Sequence, residues 1–170
     1  MGIALLIIAT LVVMLRLSAR RFFQNTYIGW DDWCILLAWV GLLPSTALVQ
    51  VMTRHGMGKD IWTIDPDNLT VILKLFYIEQ WIYQLVIIAT KISIVLFYLR
   101  IFPSNRSRKF EYVSWAIIGG LLAYLLGFYI YYAVDCKPLS YFWNQWDGEH
   151  EGSCPGTQAA IFTNSAFNIL

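Results

Sequence analysis

Lys91 stands inside the apolar stretch LVIIATKISIVLFYLRIF, among aliphatic and aromatic residues and with no acid beside it. An amine held in such surroundings has three chemical uses. It can belong to a buried polar network with Thr90, Ser93 and groups on neighbouring helices, it can line a ligand or ion path, or it can carry a retinal Schiff base. The last use needs a desolvated lysine and a counter-ion. No acid lies in the core of any complete apolar segment, so neither retinal nor another cofactor is expected. Glu79 lies on the same segment, but about 18 Å of helical rise separates it from Lys91. The partner of the charge must come from another helix, from water or from chain beyond these residues.

The remaining chemistry sits mainly in loops. Cys136 and Cys154 bracket KPLSYFWNQWDGEHEGS, and in an oxidising compartment a disulfide between them would close a loop of about 17 intervening residues. The alternatives are a bond from one of them to a cysteine beyond Leu170, or a free thiol. A closed loop would hold Trp143 and Trp146 as a lid over a ligand pocket. Asp147, Glu149, His150 and Glu151 lack a metal-ligand spacing and read as a solvated acidic loop, so no metal is expected. Cys34 reads as a small buried hydrophobe. Asn68 opens the sequon NLT and is a glycosylation candidate close to the membrane, whereas NRS at Asn105 is expected to stay unused. No nucleophile with a paired base, phosphate loop or poised carboxylate pair is present, and no enzyme is expected.

These groups must be positioned by apolar spans. The chain of 170 residues is 58% hydrophobic and 14% charged, with a mean hydropathy of +0.57, where soluble domains carry about 25% charged residues. A net charge of +1 offers no basic surface to nucleic acid. A bilayer crossing needs about 20 apolar residues. Met1 to Leu15, Trp33 to Met52, Val71 to Phe102 and Tyr112 to Val134 approach or exceed that, and a further run starts near Thr157. The last run reaches Leu170 before it could span, so the sequence reads as the amino-terminal part of a larger domain, all-α, with about four complete helices and the start of a fifth. A signal peptide is the alternative for the first segment, but its positive charges follow the apolar run instead of preceding it.

Arg16, Arg20 and Arg21 follow the first span and Arg100, Arg106, Arg108 and Lys109 follow the third, which predicts those two loops inside and the amino terminus outside. Trp30, Trp33 and Trp62 then fall at headgroup level, and Lys91 about 14 Å from the inner boundary. Asp31 and Asp32 open the second span, where they can cap the helix or meet Arg100 as a switch on the inner face. Pro103 ends the third span. Gly119, Ala123 and Gly127, at steps of four, predict close helix packing, within the bundle or, as the alternative, in a dimer.

GWDDWCILLAWV after a basic loop, KLFYIEQWIYQL leading into TKISIVLFYLRIF, and DCKPLSYFWNQWDGEHEGSC after the fourth span resemble, in that order, the fungal rhodopsin-like domain family of integral membrane proteins. The resemblance covers nearly the whole chain. It implies seven helices with the amino end outside and a G-protein-coupled-receptor-like architecture, and the family's name does not imply retinal. The matching positions are Trp30, Asp31, Asp32, Lys91, Ser93, Tyr98, Arg100 and Phe102. Implied partners are the lipid bilayer, an extracellular ligand and, for a full-length form, a heterotrimeric G protein, with the plasma membrane as location. A transporter or channel using Lys91 and Glu79 in a polar path is the competing expectation, as is a truncated chain without function.

Overall fold

The computed structural model describes residues 2–24, 29–101, 108–144, 146, 151–154 and 156–169. Among these the protein is helical, apart from one isolated antiparallel bridge between Lys137 and Ser153. The elements are α1 (Gly2–Ala19), a π-helical turn (Arg20–Gln24), α2 (Trp30–Arg54), a 3₁₀ turn (Ile61–Thr63), α3 (Pro66–Ile101), α4 (Arg108–Val134), α5 (Tyr141–Asn144) and α6 (Thr157–Ile169). The first four numbered helices are each long and apolar enough to cross a membrane. α1 runs past the expected end at Leu15, because the stem of Arg16 can lie along apolar surface while its head group turns away. α3, at 36 residues, is about 54 Å long and outreaches a hydrocarbon core of about 30 Å.

Helix ends follow local chemistry. Pro66 opens α3, where a missing N–H costs nothing. α2 stops at a glycine: Gly56 takes φ +108°, its N–H bonds the carbonyl of Thr53 at 3.2 Å, and Met57 N–H bonds that of Met52 at 3.0 Å. That pair of bonds is a Schellman closure, and it needs the left-handed residue at the first position past the helix.

Burial is inverted relative to a water-soluble domain. Ile3, Leu5, Ile7, Ile8, Leu11 and Leu15 are exposed along α1, while Asp31, Asp32, Glu79, Gln84, Ser93 and Ser114 are buried. Lipid tails are as apolar as a protein core, so the apolar side chains gain little by turning inward and the polar ones lose most by facing outward.

Two compact units divide the chain. The first comprises residues 1–47 and 82–125. In it Trp39 Nε1 donates to Thr10 Oγ1 at 3.1 Å, and a Cβ on Gly41 would fall 2.7 Å from Val86 Cγ2, so α2 and α3 approach each other closely there. The buried face of α4 in this unit is Ser114 and Ile118. The second unit comprises residues 48–81 and 126–170. Its core is aromatic, built on Phe128, Tyr132, Phe142 and Cys136 with Tyr77, Trp81, Tyr129 and Trp143 packed around them.

The small-residue stripe of α4 behaves differently from expectation. Gly119, Ala123 and Gly127 are exposed, and a Cβ on either glycine would meet nothing within 4 Å. The four-residue step that aligns them also places them away from Ser114, Ile118, Phe128 and Tyr132, which hold the packed face.

Candidate functional site

The densest polar constellation lies in the first unit, where α1, the π turn, α2 and α3 bring five charged side chains together. Arg16 and Arg20 are four residues apart and share a face. Asp31 and Asp32 occupy the first turn of α2. Ser93, Phe97 and Arg100 recur at steps of four and three, on one face of α3.

Arg20 grips both carboxylates, Nη2 donating to Asp31 Oδ2 and Nη1 to Asp32 Oδ2. Arg16 Nη2 donates to Asp31 Oδ2 at 3.1 Å, and its Nε lies 3.7 Å from Asp32 Oδ1. Arg100 Nη1 donates to Asp31 Oδ1 at 3.2 Å and stands 3.6 Å from Asp32 Oδ2. Ser93 Oγ donates to the Asp31 backbone carbonyl at 2.7 Å, which fixes the start of α2 against α3. The guanidinium carbons of Arg16 and Arg20 sit 4.9 and 5.7 Å from the centre of the Phe97 ring, close enough for cation–π attraction.

Capping and pairing, the two roles open to Asp31 and Asp32, coexist. Asp32 is the third residue of α2 and accepts the N–H of Gly29, the residue before the helix, at 3.1 Å, as in one half of a capping box. Its other contacts are ionic. Gly29 has a second role: a Cβ there would overlap Asp31 Oδ1 and lie 2.7 Å from Arg100 Nη1, so any side chain would push those two groups aside.

Sequence reasoning placed Arg16 and Arg20 only as topology markers and missed them as partners of the aspartates. It also passed over Phe97 and Gly29. The signal was present in the i, i+4 spacing of the arginines and the Ser93–Phe97–Arg100 period, but the pairing is long-range. Asp31 and Asp32, in the first turn of α2, and Glu79 on α3 are all buried, which the sequence did not show.

Lys91 is half-buried on α3, on the helical face that carries buried Gln84 and Ile88. Thr90 spends its hydroxyl on its own helix, donating to Val86 O at 2.8 Å. Glu79 belongs to the second unit and Lys91 to the first. Tyr98 is exposed, and Phe102, Pro103, Asn105 and Arg106 lie outside the described residues.

In the second unit Cys136 and Cys154 are joined by a disulfide. The Lys137–Ser153 bridge lies beside it, and Gly156 N–H donates to Asp135 Oδ1 at 3.0 Å. Trp143, on α5, meets Tyr77 edge-on at 6.4 Å between ring centres and takes the Lys74 ammonium over its face at 5.7 Å. Trp146 Nε1 donates to Trp143 O at 3.1 Å. Trp143 is thus tied into the aromatic core. A cleft of about 600 Å³ in this unit is lined by Gly127, Tyr131, Asp135, Lys137 and Ser153 among others, and not by either tryptophan. Asn68 Oδ1 is engaged by the His55 ring at 2.8 Å. Asp147, Glu149 and His150 lie outside the described residues.

Opening the disulfide gives a direct expectation. With the cysteines 18 apart in sequence, closure of such a loop contributes about 3 kcal/mol. Cys136→Ser with Cys154→Ser should lower the heat-challenge midpoint of the purified protein and abolish its sensitivity to reductant. An unchanged midpoint would show that the aromatic core holds the loop without the bond.

The fungal rhodopsin domain family matches residues 15–170. A SAT4 family membrane protein of Emericella nidulans is 32% identical over 144 residues, 84% of this chain and 34% of the relative, so the chain spans about a third of that protein's length. No solved structure matches.

Proposed function

Because the chain belongs to the fungal rhodopsin domain family of membrane proteins, we propose that it is part of a receptor-like sensor, non-enzymatic and non-photoactive, that converts an extracellular chemical cue into a rearrangement of its helices. In this reading the amino terminus faces outward and the basic helix ends face the cytoplasm, as the distribution of arginines supports. The observation that carries the proposal is the ion-pair cluster itself. Two buried carboxylates tie α1, α2 and α3 together at one end through Arg16, Arg20 and Arg100. A latch of this kind holds two discrete arrangements apart, since a guanidinium must leave its carboxylate altogether to move. The disulfide-closed loop, with the cleft at Tyr131, Asp135 and Lys137, supplies a surface for the cue.

The test is ligand-independent output. The full-length protein is expressed in yeast carrying a G-protein-driven reporter, as the parent, as Arg100→Gln and as Arg100→Lys, because Asp31 also holds Arg16 and Arg20 and so cannot be exchanged with Arg100. Arg100→Gln should raise basal output several-fold, and Arg100→Lys, which keeps the charge, should stay near the parent. Flat output from Arg100→Gln present at parental levels in the membrane, or a new solute conductance in place of reporter activity, would overturn the sensor reading.

A further inference from the structure

The three arginines do more than neutralise the two aspartates. Three guanidiniums facing two carboxylates leave one positive charge over, and about fifteen N–H donors stand against about eight acceptor positions. Arg16 Nε and Asp32 Oδ1 face each other at 3.7 Å, and neither makes a hydrogen bond among the described residues. The aspartates are the more deeply placed partners, with side chains 3% and 1% exposed, whereas those of Arg16 and Arg100 are 25% and 29% exposed. The arginines therefore form the outer layer of the cluster.

That layer lines a cavity of about 450 Å³ together with Ala19, Phe97 and Ile101. A free inorganic anion would use only the arginines of this lining. An amphiphile with an anionic head uses all of it. The position suits a lipid: the apolar run of α1 ends at Arg16, α3 ends at Ile101, and the exposed rings of Phe22, Trp30 and Trp33 mark headgroup level at these helix ends.

We propose that this cavity binds the phosphate of an anionic phospholipid, held by Arg16, Arg20 and Arg100, with the glycerol and first acyl carbons along Ala19, Phe97 and Ile101. Guanidiniums recognise phosphate through parallel N–H donors, and basic pockets between transmembrane helices bind such head groups. The site goes beyond the sensor reading and stands whether or not the chain signals.

Direct binding tests it. The full chain in detergent is titrated with phosphatidylinositol 4-phosphate, with phosphatidylcholine and with inorganic phosphate, and bound species are counted by native mass spectrometry. The phosphoinositide should bind at least tenfold more tightly than either of the others. Equal binding of phosphatidylcholine would overturn the site, and inorganic phosphate binding as tightly as the lipid would overturn the amphiphile. Removing an arginine also disturbs the latch, so the site is probed through exposed Ala19 instead. Ala19→Glu, which puts a carboxylate into the cavity, should lower phosphoinositide affinity about tenfold, whereas Ala19→Gln, of the same size, should keep most of it. If Ala19→Glu elutes as a folded monodisperse species and binds the lipid as the parent does, the cavity is not the binding place.

Discussion

Asp32→Asn is expected to destabilise the first unit by about 3 kcal/mol, more than removal of any one arginine around it. The Asp32 side chain is 1% exposed and lies against Arg20, with Arg16 Nε at 3.7 Å and Arg100 Nη1 at 3.6 Å. Asparagine keeps the shape and an acceptor for Gly29 N–H but removes the charge. The cluster then passes from an excess of one positive charge to two, in a site where water reaches only its outer layer. Loss of one partner from a buried pair costs about 3–5 kcal/mol, and the partial exposure of Arg16 and Arg100 places the effect at the lower end. Arg100→Gln moves the excess the other way, to zero, and should cost about 1 kcal/mol. The order of the two is the sharp part. Heat challenge of the detergent-solubilised variants followed by size-exclusion chromatography measures it, and a midpoint for Asp32→Asn no lower than for Arg100→Gln would refute the charge accounting.

Tyr132 carries the second large effect. It is 4% exposed, stacks on Phe128 and on Tyr77 with ring centres 5.3 Å away in each case, and meets Trp81 edge-on at 6.4 Å. Truncation to alanine removes the centre of the aromatic core and should cost about 4 kcal/mol, through lost dispersion and an unfilled cavity. Tyr132→Phe should behave oppositely. The Tyr132 hydroxyl is buried and has no hydrogen-bond partner among the described residues, so its removal relieves an unsatisfied polar group and should leave stability within about 0.5 kcal/mol of the parent, or raise it. The same heat challenge serves. A loss of more than about 1 kcal/mol in Tyr132→Phe would mean that the hydroxyl is satisfied by a group outside the described residues.

The helical spans, their order and most of their ends were legible in the chain. Hydropathy is a sum over neighbours in sequence, and a span is by nature contiguous, so no tertiary knowledge enters. The pairing of Cys136 with Cys154 was legible for a similar reason, because both fall in the one stretch that follows the fourth span. Legibility stopped at the faces of the helices. In a soluble helix an apolar stripe marks the buried side, but here the lipid side is apolar as well, which erases the period. For that reason Gly119, Ala123 and Gly127 read as a packing stripe and prove exposed.

By itself, then, the sequence determined a membrane-embedded helical protein, its topological segments and the types of charged residue available at each helix end. Only the tertiary structure decided which charges meet. Arg16 and Arg20 could as well have faced lipid head groups alone. The close approach permitted by Gly29 and the hydroxyl of Ser93 on the Asp31 carbonyl bring α2 against α3 so that both aspartates are buried. Once buried, a carboxylate must recruit every cation within reach, since water is no longer there to solvate it. That requirement, acting across residues far apart in the chain, is what built the site.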